Sequence, residues 1–199
     1  MTADDIRYMN ILVSEIVPKN KDELKIITEF YSKNYPNESL NWICVSRITD
    51  MSDLFKGEYL YDNRNKYNGD ISMWDTSNVT NMYCMFSYSF FNQPIGEWDV
   101  SNVTNMEDMF FEAWKFNQPI GEWDVSNVTN MHSMFYYAKS FNQPIGKWDV
   151  SNVTDMSHMF EGANTFNQNI SNWYINDNTD TFLMYYECLI KKEYKAKKI

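Results

Sequence analysis

W-D-V-S-N-V-T-N-M, residues Trp98 to Met106, returns as Trp74 to Met82, Trp123 to Met131 and Trp148 to Met156, with only Val-to-Thr and Asn-to-Asp changes. Extended outward, the unit reads I-G-x-W-D-V-S-N-V-T-x-M-x-x-M-F-x-x-A-x-x-F-N-Q from Ile95, Ile120 and Ile145. A copy from Ile71 is one residue shorter between Phe86 and Phe91, and the copy from Ile170 decays after Trp173, which makes it a candidate terminal cap. A sixth, degenerate copy starts at Leu40 and places Ile43, Val45, Ile48, Met51, Leu54 and Phe55 on the apolar slots. A unit of about 25 residues is too small to bury its own apolar face, so the copies are expected to stack as a repeat solenoid.

Two periods alternate within one unit. Ile95, Trp98 and Val100 have the β-branched and aromatic character of a short strand, while Val103, Met106, Met109/Phe110 and Ala113 follow the spacing of one helical face. The expected coil is therefore strand, helical turn and loop, with the Trp-Asp-Val strands forming one narrow parallel sheet. Ser101 is placed to cap the helical turn with its hydroxyl, and Asn102 offers a second cap oxygen. Gly96, Gly121 and Gly146 become Ser72, Ser171 and Asn41 in other copies, which asks for a small residue there rather than a positive φ. Nine residues per coil point inward; in one full unit they are Ile120, Trp123, Val125, Val128, Met131, Met134, Phe135, Ala138 and Phe141.

Residues 1–39 read as a helical N-terminal cap, residues 40–190 as five to six coils, and residues 191–199 as a basic tail. Asp5 to Val17 and Lys21 to Tyr35 carry helical patterns closed by Pro18 and Pro36. Eleven residues, Lys56 to Lys66, stand between Phe55 and Tyr67 where full units have five, forming an extra charged loop. No stretch approaches the roughly 20 apolar residues of a membrane helix. The start M-T-A-D-D lacks the pattern of a secretory signal, so an intracellular or virion setting without membrane insertion is expected. Three cysteines at unrelated repeat positions argue against a disulfide framework. Four sequon asparagines, Asn78, Asn102, Asn127 and Asn152, share one slot, where stacked glycans would collide; they read as a hydrogen-bonding ladder.

Net charge is −10, and residues 41–190 carry 19 acids against 7 bases, which speaks against nucleic-acid binding. The lysines of the tail read as a frayed, solvated end, with an acidic partner as the alternative.

The motifs I-G-x-W-D-V-S-N-V-T-x-M-x-x-M-F and F-N-Q-P-I-G, preceded by V-P-K-N-K-D-E-L-K-I-I, resemble the BspA-type leucine-rich-repeat family, also catalogued as a domain of unknown function in mycoplasmas. The resemblance covers about residues 17–187. It implies a leucine-rich-repeat-like fold, with short parallel β-strands on one face and short helical turns opposite. It further implies protein binding or adhesion without catalysis, in bacterial surface proteins and large DNA viruses. Without an export signal, a viral scaffold or protein-binding role is expected over a bacterial surface adhesin.

Two sets of residues stand out as candidate sites. An acidic strand ladder, Asp75, Asp99, Asp124 and Asp149, brings carboxylates to about 5 Å spacing, a repulsion of roughly 3 kcal/mol per adjacent pair at an effective dielectric near 20. Cations or local hydrogen bonds must offset it; bonds from groups such as Ser101 and Thr104 are expected, because no second acidic column offers the six to eight oxygens of a calcium site. A candidate protein-binding patch comprises Tyr88, Phe111, Trp114, Tyr136 and Tyr137, aromatics on variable slots that the coil core does not require. The alternative is partial burial under the adjoining loop.

No catalytic, cofactor or metal site is expected. His132 and His158 read as surface residues with no serine or cysteine nucleophile set beside them, and the methionine columns read as core. The expected function is a non-enzymatic protein-binding or scaffold repeat protein with a protein partner. The alternative is an acidic mimic of nucleic acid, against which Glu97, Glu122 and Lys147 on one slot break the row.

Overall fold

The computed structural model describes residues 16–60 and 63–198. Its one α-helix among these, α1 (Lys21–Asn34), opens where Asn20 Oδ1 accepts the Glu23 N–H at 3.0 Å, and carries Asp22 and Glu23 in its first turn, where the helix dipole favours them. Leu24, Ile27, Thr28 and Tyr31 face inward, and the Thr28 hydroxyl reaches the Leu54 carbonyl at 3.3 Å, seating α1 on the first coil. The helix expected over Asp5 to Val17 lies outside the described residues except at its end. There Ile16 is extended and forms a one-residue parallel bridge with Ile43.

From Leu40 onward the coils do stack, but not by the expected means. The Trp-Asp-Val segments form no sheet, and the β-pairing between neighbouring coils is a row of single-residue parallel bridges along Asp50, Asn81, Asn105, Asn130, Asp155 and Asp180. The one two-stranded sheet among the described residues pairs β1 (Tyr174–Ile175) with β2 (Lys197–Lys198). No helical turn follows the strand position either. The leucine-rich-repeat-like solenoid of parallel strands with opposing helical turns is therefore corrected to a stack of consecutive tight turns.

The reason lies in the period of three. Trp98 N–H bonds to the Ile95 carbonyl, Val103 to Val100, Met109 to Met106, Ala113 to Phe110 and Phe116 to Ala113, each an i to i+3 β-turn. The residues that close these turns are the ones with inward side chains. Spacing of three and four residues on one face thus came from successive turn corners, which a helical template matches equally well.

Within M-x-x-M-F-x-x-A the third residue of each turn is left-handed: φ is 55° at Asp108 and 50° at Glu112, and 50° and 47° at Ser133 and Tyr137 in the next coil. A non-glycine residue there costs roughly 1–2 kcal/mol. The compensation is visible in the hydrogen bonds. Each such residue turns its N–H along the stack, Asp108 to His132 O at 2.9 Å, Glu112 to Tyr136 O at 2.7 Å, Ser133 to Ser157 O at 2.9 Å and Tyr137 to Glu161 O at 2.7 Å. Alternate amides therefore serve the coil's own turns and the next coil.

The interior consists of side-chain ladders. Phe55, Phe86, Phe110, Phe135 and Phe160 stack with centroids 5.5 to 5.7 Å apart, and a second column through Phe116, Phe141 and Phe166 stacks at 6.1 and 5.9 Å. Phe110 and Phe116 within one coil close to 3.8 Å. All these rings are fully buried, as are the methionine columns Met82/Met106/Met131/Met156 and Met85/Met109/Met134/Met159. Each contributes roughly 1.5–3 kcal/mol. Every indole of the Trp column donates one coil back: Trp74 to Leu40 O, Trp98 to Ile71 O, Trp123 to Ile95 O, Trp148 to Ile120 O and Trp173 to Ile145 O, at 2.9 to 3.1 Å.

Asparagines close the loops. Asn102, Asn127 and Asn152 Nδ2 each donate to a serine carbonyl one coil back at 2.7 Å, the ladder expected of the sequon slot. Asn92, Asn117 and Asn142 Oδ1 accept the next coil's asparagine N–H at 2.9 Å. Gly96 explains itself: a Cβ there would lie 2.5 Å from the Pro119 carbonyl oxygen, so close approach of the next coil, not a positive φ, selects glycine.

At the far end the lysine-rich tail is not frayed. Ile190 is buried, Lys192–Tyr194 makes a 3-10 turn whose Tyr194 carbonyl accepts the Ile170 N–H at 3.0 Å, and β2 pairs with β1. Lys198 Nζ donates to the Asp177 carbonyl at 3.1 Å. The tail acts as the final partial coil on the Trp173 side of the stack.

Candidate functional site

Both candidate sets occupy outward positions, on different parts of the coil. Asp75, Asp99, Asp124 and Asp149 are exposed. Each Oδ1 accepts the N–H two residues on, from Ser77, Ser101, Ser126 and Ser151 at 3.0 to 3.1 Å. Asp75 and Asp99 also accept the serine hydroxyl at 2.6 Å. Ser101 thus serves the aspartate turn rather than a helix cap, and Thr104 Oγ1 donates to Thr80 O at 3.2 Å instead of to Asp99. The serine bonds, hydroxyl first, hold the Asp99 and Asp149 carboxyls below their ordinary range. No three His, Cys, Asp or Glu side chains converge as metal ligands among the described residues.

The aromatic residues form a ridge. Tyr59, from the inserted loop, meets the Tyr88 ring at 6.1 Å; Tyr88 meets Phe111 at 5.2 Å, Phe111 stacks on Tyr136 at 4.5 Å, and Tyr136 meets Tyr137 at 4.8 Å. A side branch runs from Tyr136 through His158 at 6.5 Å to Phe182 at 5.5 Å. Tyr59 is 70% exposed and Phe182 63%, while the members between them are half-buried. The ridge exists because the turn slots after each M-F project outward, with alternate side chains following the left-handed residues Tyr88, Glu112, Tyr137 and Gly162. Gly162 leaves a bare patch: a Cβ there would sit 2.6 Å from the Tyr137 ring, so Tyr137 lies flat across it and donates its hydroxyl to Glu187 Oε2 at 2.7 Å. That bond raises the Tyr137 hydroxyl to about 12.

Trp114 lies under two cations. Arg64 of the inserted loop places its guanidinium 3.7 Å over the Trp114 ring and 5.3 Å from Tyr88. The same guanidinium donates to the Glu112 carbonyl at 2.6 Å and pairs with the Glu112 carboxylate. Lys139 covers Trp114 at 4.6 Å. The inserted loop therefore lies over Trp114 and Tyr88, while Phe111, Tyr136 and Tyr137 lie beyond it. Arg64 is 3% exposed, and no sequence signal marked it: an arginine in a charged loop reads as solvated until its partner, 48 residues away, is known.

Beside the ridge lies a polar strip. His132 Nδ1 and Ser157 Oγ are 2.7 Å apart, and Ser157 Oγ donates to Asp155 Oδ1 at 2.5 Å, so the expectation of histidines without a neighbouring serine is corrected. The order is nevertheless wrong for a nucleophile. The serine gives its proton to the carboxylate, and the imidazole must then donate to the serine rather than withdraw its proton. His158 Nδ1 pairs with Glu161 Oε2 at 2.6 Å. Asp108, largely shielded in the same strip, accepts a hydrogen bond from the Cys84 thiol at 3.8 Å; burial first, then the Glu107 charge, raise its carboxyl to about 6 against the pull of His132.

No curated protein and no solved structure matches the chain. A family model does, over residues 25–127 and again over residues 88–196, in agreement with the resemblance read from the repeat motif. Because these two matches together cover residues 25–196, most of α1 and all the coils, the chain belongs to the repeat family described as "Mycoplasma protein of unknown function, DUF285".

Proposed function

We propose that the chain is a non-enzymatic repeat protein that binds a protein partner through the aromatic ridge, the stacked coils acting as a rigid scaffold. The observation carrying this reading is the ring-to-ring continuity from Tyr88 through Phe111 and Tyr136 to Tyr137 on slots that the core does not need. Rings held in place by a rigid stack lose little entropy on contact, which is why tyrosine and tryptophan dominate protein interfaces. The Ser157 arrangement supports the non-catalytic part of the reading, because neither the hydroxyl nor the imidazole is set up for proton withdrawal. The nucleic-acid mimic is disfavoured by Lys147, which pairs with Glu122 at 2.5 Å on the slot where a phosphate-like row would continue.

The test compares proteins captured from the native source by the wild-type chain and by the double variant Phe111→Ser/Tyr136→Ser, with the fold checked by its thermal transition. A partner retained by the wild type and lost by the folded variant supports the reading. Identical partners on both would refute it.

A further inference from the structure

Resting on that reading, we infer that the partner segment recognised by the ridge is basic and rich in arginine, its guanidinium groups stacking on Tyr136 and Tyr137 beside the exposed Glu187. The protein already contains this mode of binding once. Arg64 stacks on Trp114, faces Tyr88 and pairs with Glu112, an aromatic face and a carboxylate together satisfying a planar cation that is almost wholly removed from water. A planar guanidinium suits this double contact, lying on a ring while its edge meets the carboxylate, whereas a lysine ammonium meets only one of the two well.

The free end of the ridge repeats the ingredients without the cation. Glu112 is neutralised by Arg64 and Glu161 is itself buried against His158 Nδ1 at 2.6 Å, whereas the exposed Glu187 carboxylate meets the Tyr137 hydroxyl at 2.7 Å and no cation among the described residues, which leaves a carboxylate open beside the rings. The Tyr136 hydroxyl registers it: burial and then the Glu161, Glu112 and Glu187 charges push it up from its ordinary value. The surrounding body, with 19 acids against 7 bases over residues 41–190, draws a cation toward this face and repels an acidic segment.

The probe is a pair of synthetic eight-residue peptides, alternating Arg-Gly and alternating Lys-Gly, titrated onto the full chain by calorimetry at physiological salt. The expected result is that the arginine peptide binds about tenfold or more tightly than the lysine peptide, and that Tyr136→Ser/Tyr137→Ser abolishes the difference. Asp99→Asn, away from the ridge, is expected to leave it unchanged. Equal affinity of the two peptides, which general attraction to an acidic protein explains, or an arginine preference surviving in the tyrosine variant, which a site away from these rings explains, would overturn the inference. A captured partner that depends on Phe111 and Tyr136 but contacts the ridge through a segment without basic residues would overturn this inference alone and leave the protein-binding function standing.

Discussion

The Trp123 indole N–H donates to the Ile95 carbonyl of the preceding coil at 3.1 Å, inside a column of five tryptophans that all bond in the same direction. Each indole thereby fills the coil and gives a buried carbonyl its second donor, beside the turn N–H of the residue three positions on. Trp123→Phe keeps most of the apolar volume but leaves the Ile95 oxygen with the Trp98 N–H as its one remaining donor. The expected loss is about 0.5–1.5 kcal/mol, the net worth of one hydrogen bond, read as a lower denaturant midpoint with unchanged slope. Trp123→Ala adds a cavity and is expected to cost about 3–5 kcal/mol.

Leu183→Gly separates turns from helices by the sign of its effect. Leu183 has φ 51° and is partly exposed, so glycine relieves the left-handed penalty and offsets its own backbone entropy. The expected change is between zero and about 1 kcal/mol of stabilisation. Were this segment the helical turn that its spacing suggests, the same substitution would cost about 1 kcal/mol. A thermal-shift comparison decides between the two.

Gly96→Ala is expected to destabilise by more than 1 kcal/mol, because its Cβ meets the backbone oxygen of Pro119 at 2.5 Å and only movement of a whole coil relieves the contact. At Gly162 the obstacle is the Tyr137 side chain, which can swing away. Gly162→Ala should therefore pair a modest loss of stability with a changed Tyr137 environment, seen as a fall of its hydroxyl from about 12 in a spectrophotometric titration once its Glu187 bond is broken.

Asp108 gives the fold a pH dependence of definite sign. Its folded value of about 6 stands above the ordinary 3.8, so between these values the folded state holds a proton that the unfolded chain has released. Stability contributed by this group is accordingly fullest below pH 4 and falls as pH rises toward and past 6, by on the order of 1–3 kcal/mol. Asp108→Asn should flatten the urea-midpoint profile between pH 4 and 7, whereas an unchanged slope would show that other groups set it.

Much of the interior was legible from the repeats, since Ile120, Trp123, Met131, Phe135 and Phe141 recur because each contacts its copy above and below. What failed was the conversion of spacing into secondary structure. Met106, Met109 and Ala113 sit at intervals that helices and chained β-turns share, and the deciding feature, a left-handed φ at Asp108 and Glu112, falls on residues that carry no glycine signal. Arg64 escaped for a related reason: its partners Glu112, Trp114 and Tyr88 are brought to it only by the stacking of later coils. The tail looked solvated because lysines dominate it, yet Ile190 and Tyr194 anchor it.

The central claim, that equivalent residues about 25 positions apart lie on adjacent coils, is tested most directly by engineered cross-linking. Asn105 and Asn130 form a parallel bridge, and the neighbouring exposed Thr104 and Thr129 are joined where the Thr129 N–H bonds to the Thr104 carbonyl at 2.9 Å. Bridged backbones lie roughly 5 Å apart, within disulfide reach. In a background with Cys44, Cys84 and Cys188 replaced by serine, Thr104→Cys/Thr129→Cys is expected to oxidise to an intramolecular disulfide in the folded protein, while Thr104→Cys/Thr154→Cys, two coils apart, is expected to stay reduced. Mass spectrometry showing no bond in the first pair, or bonds forming equally in both, would contradict the stacked-coil account.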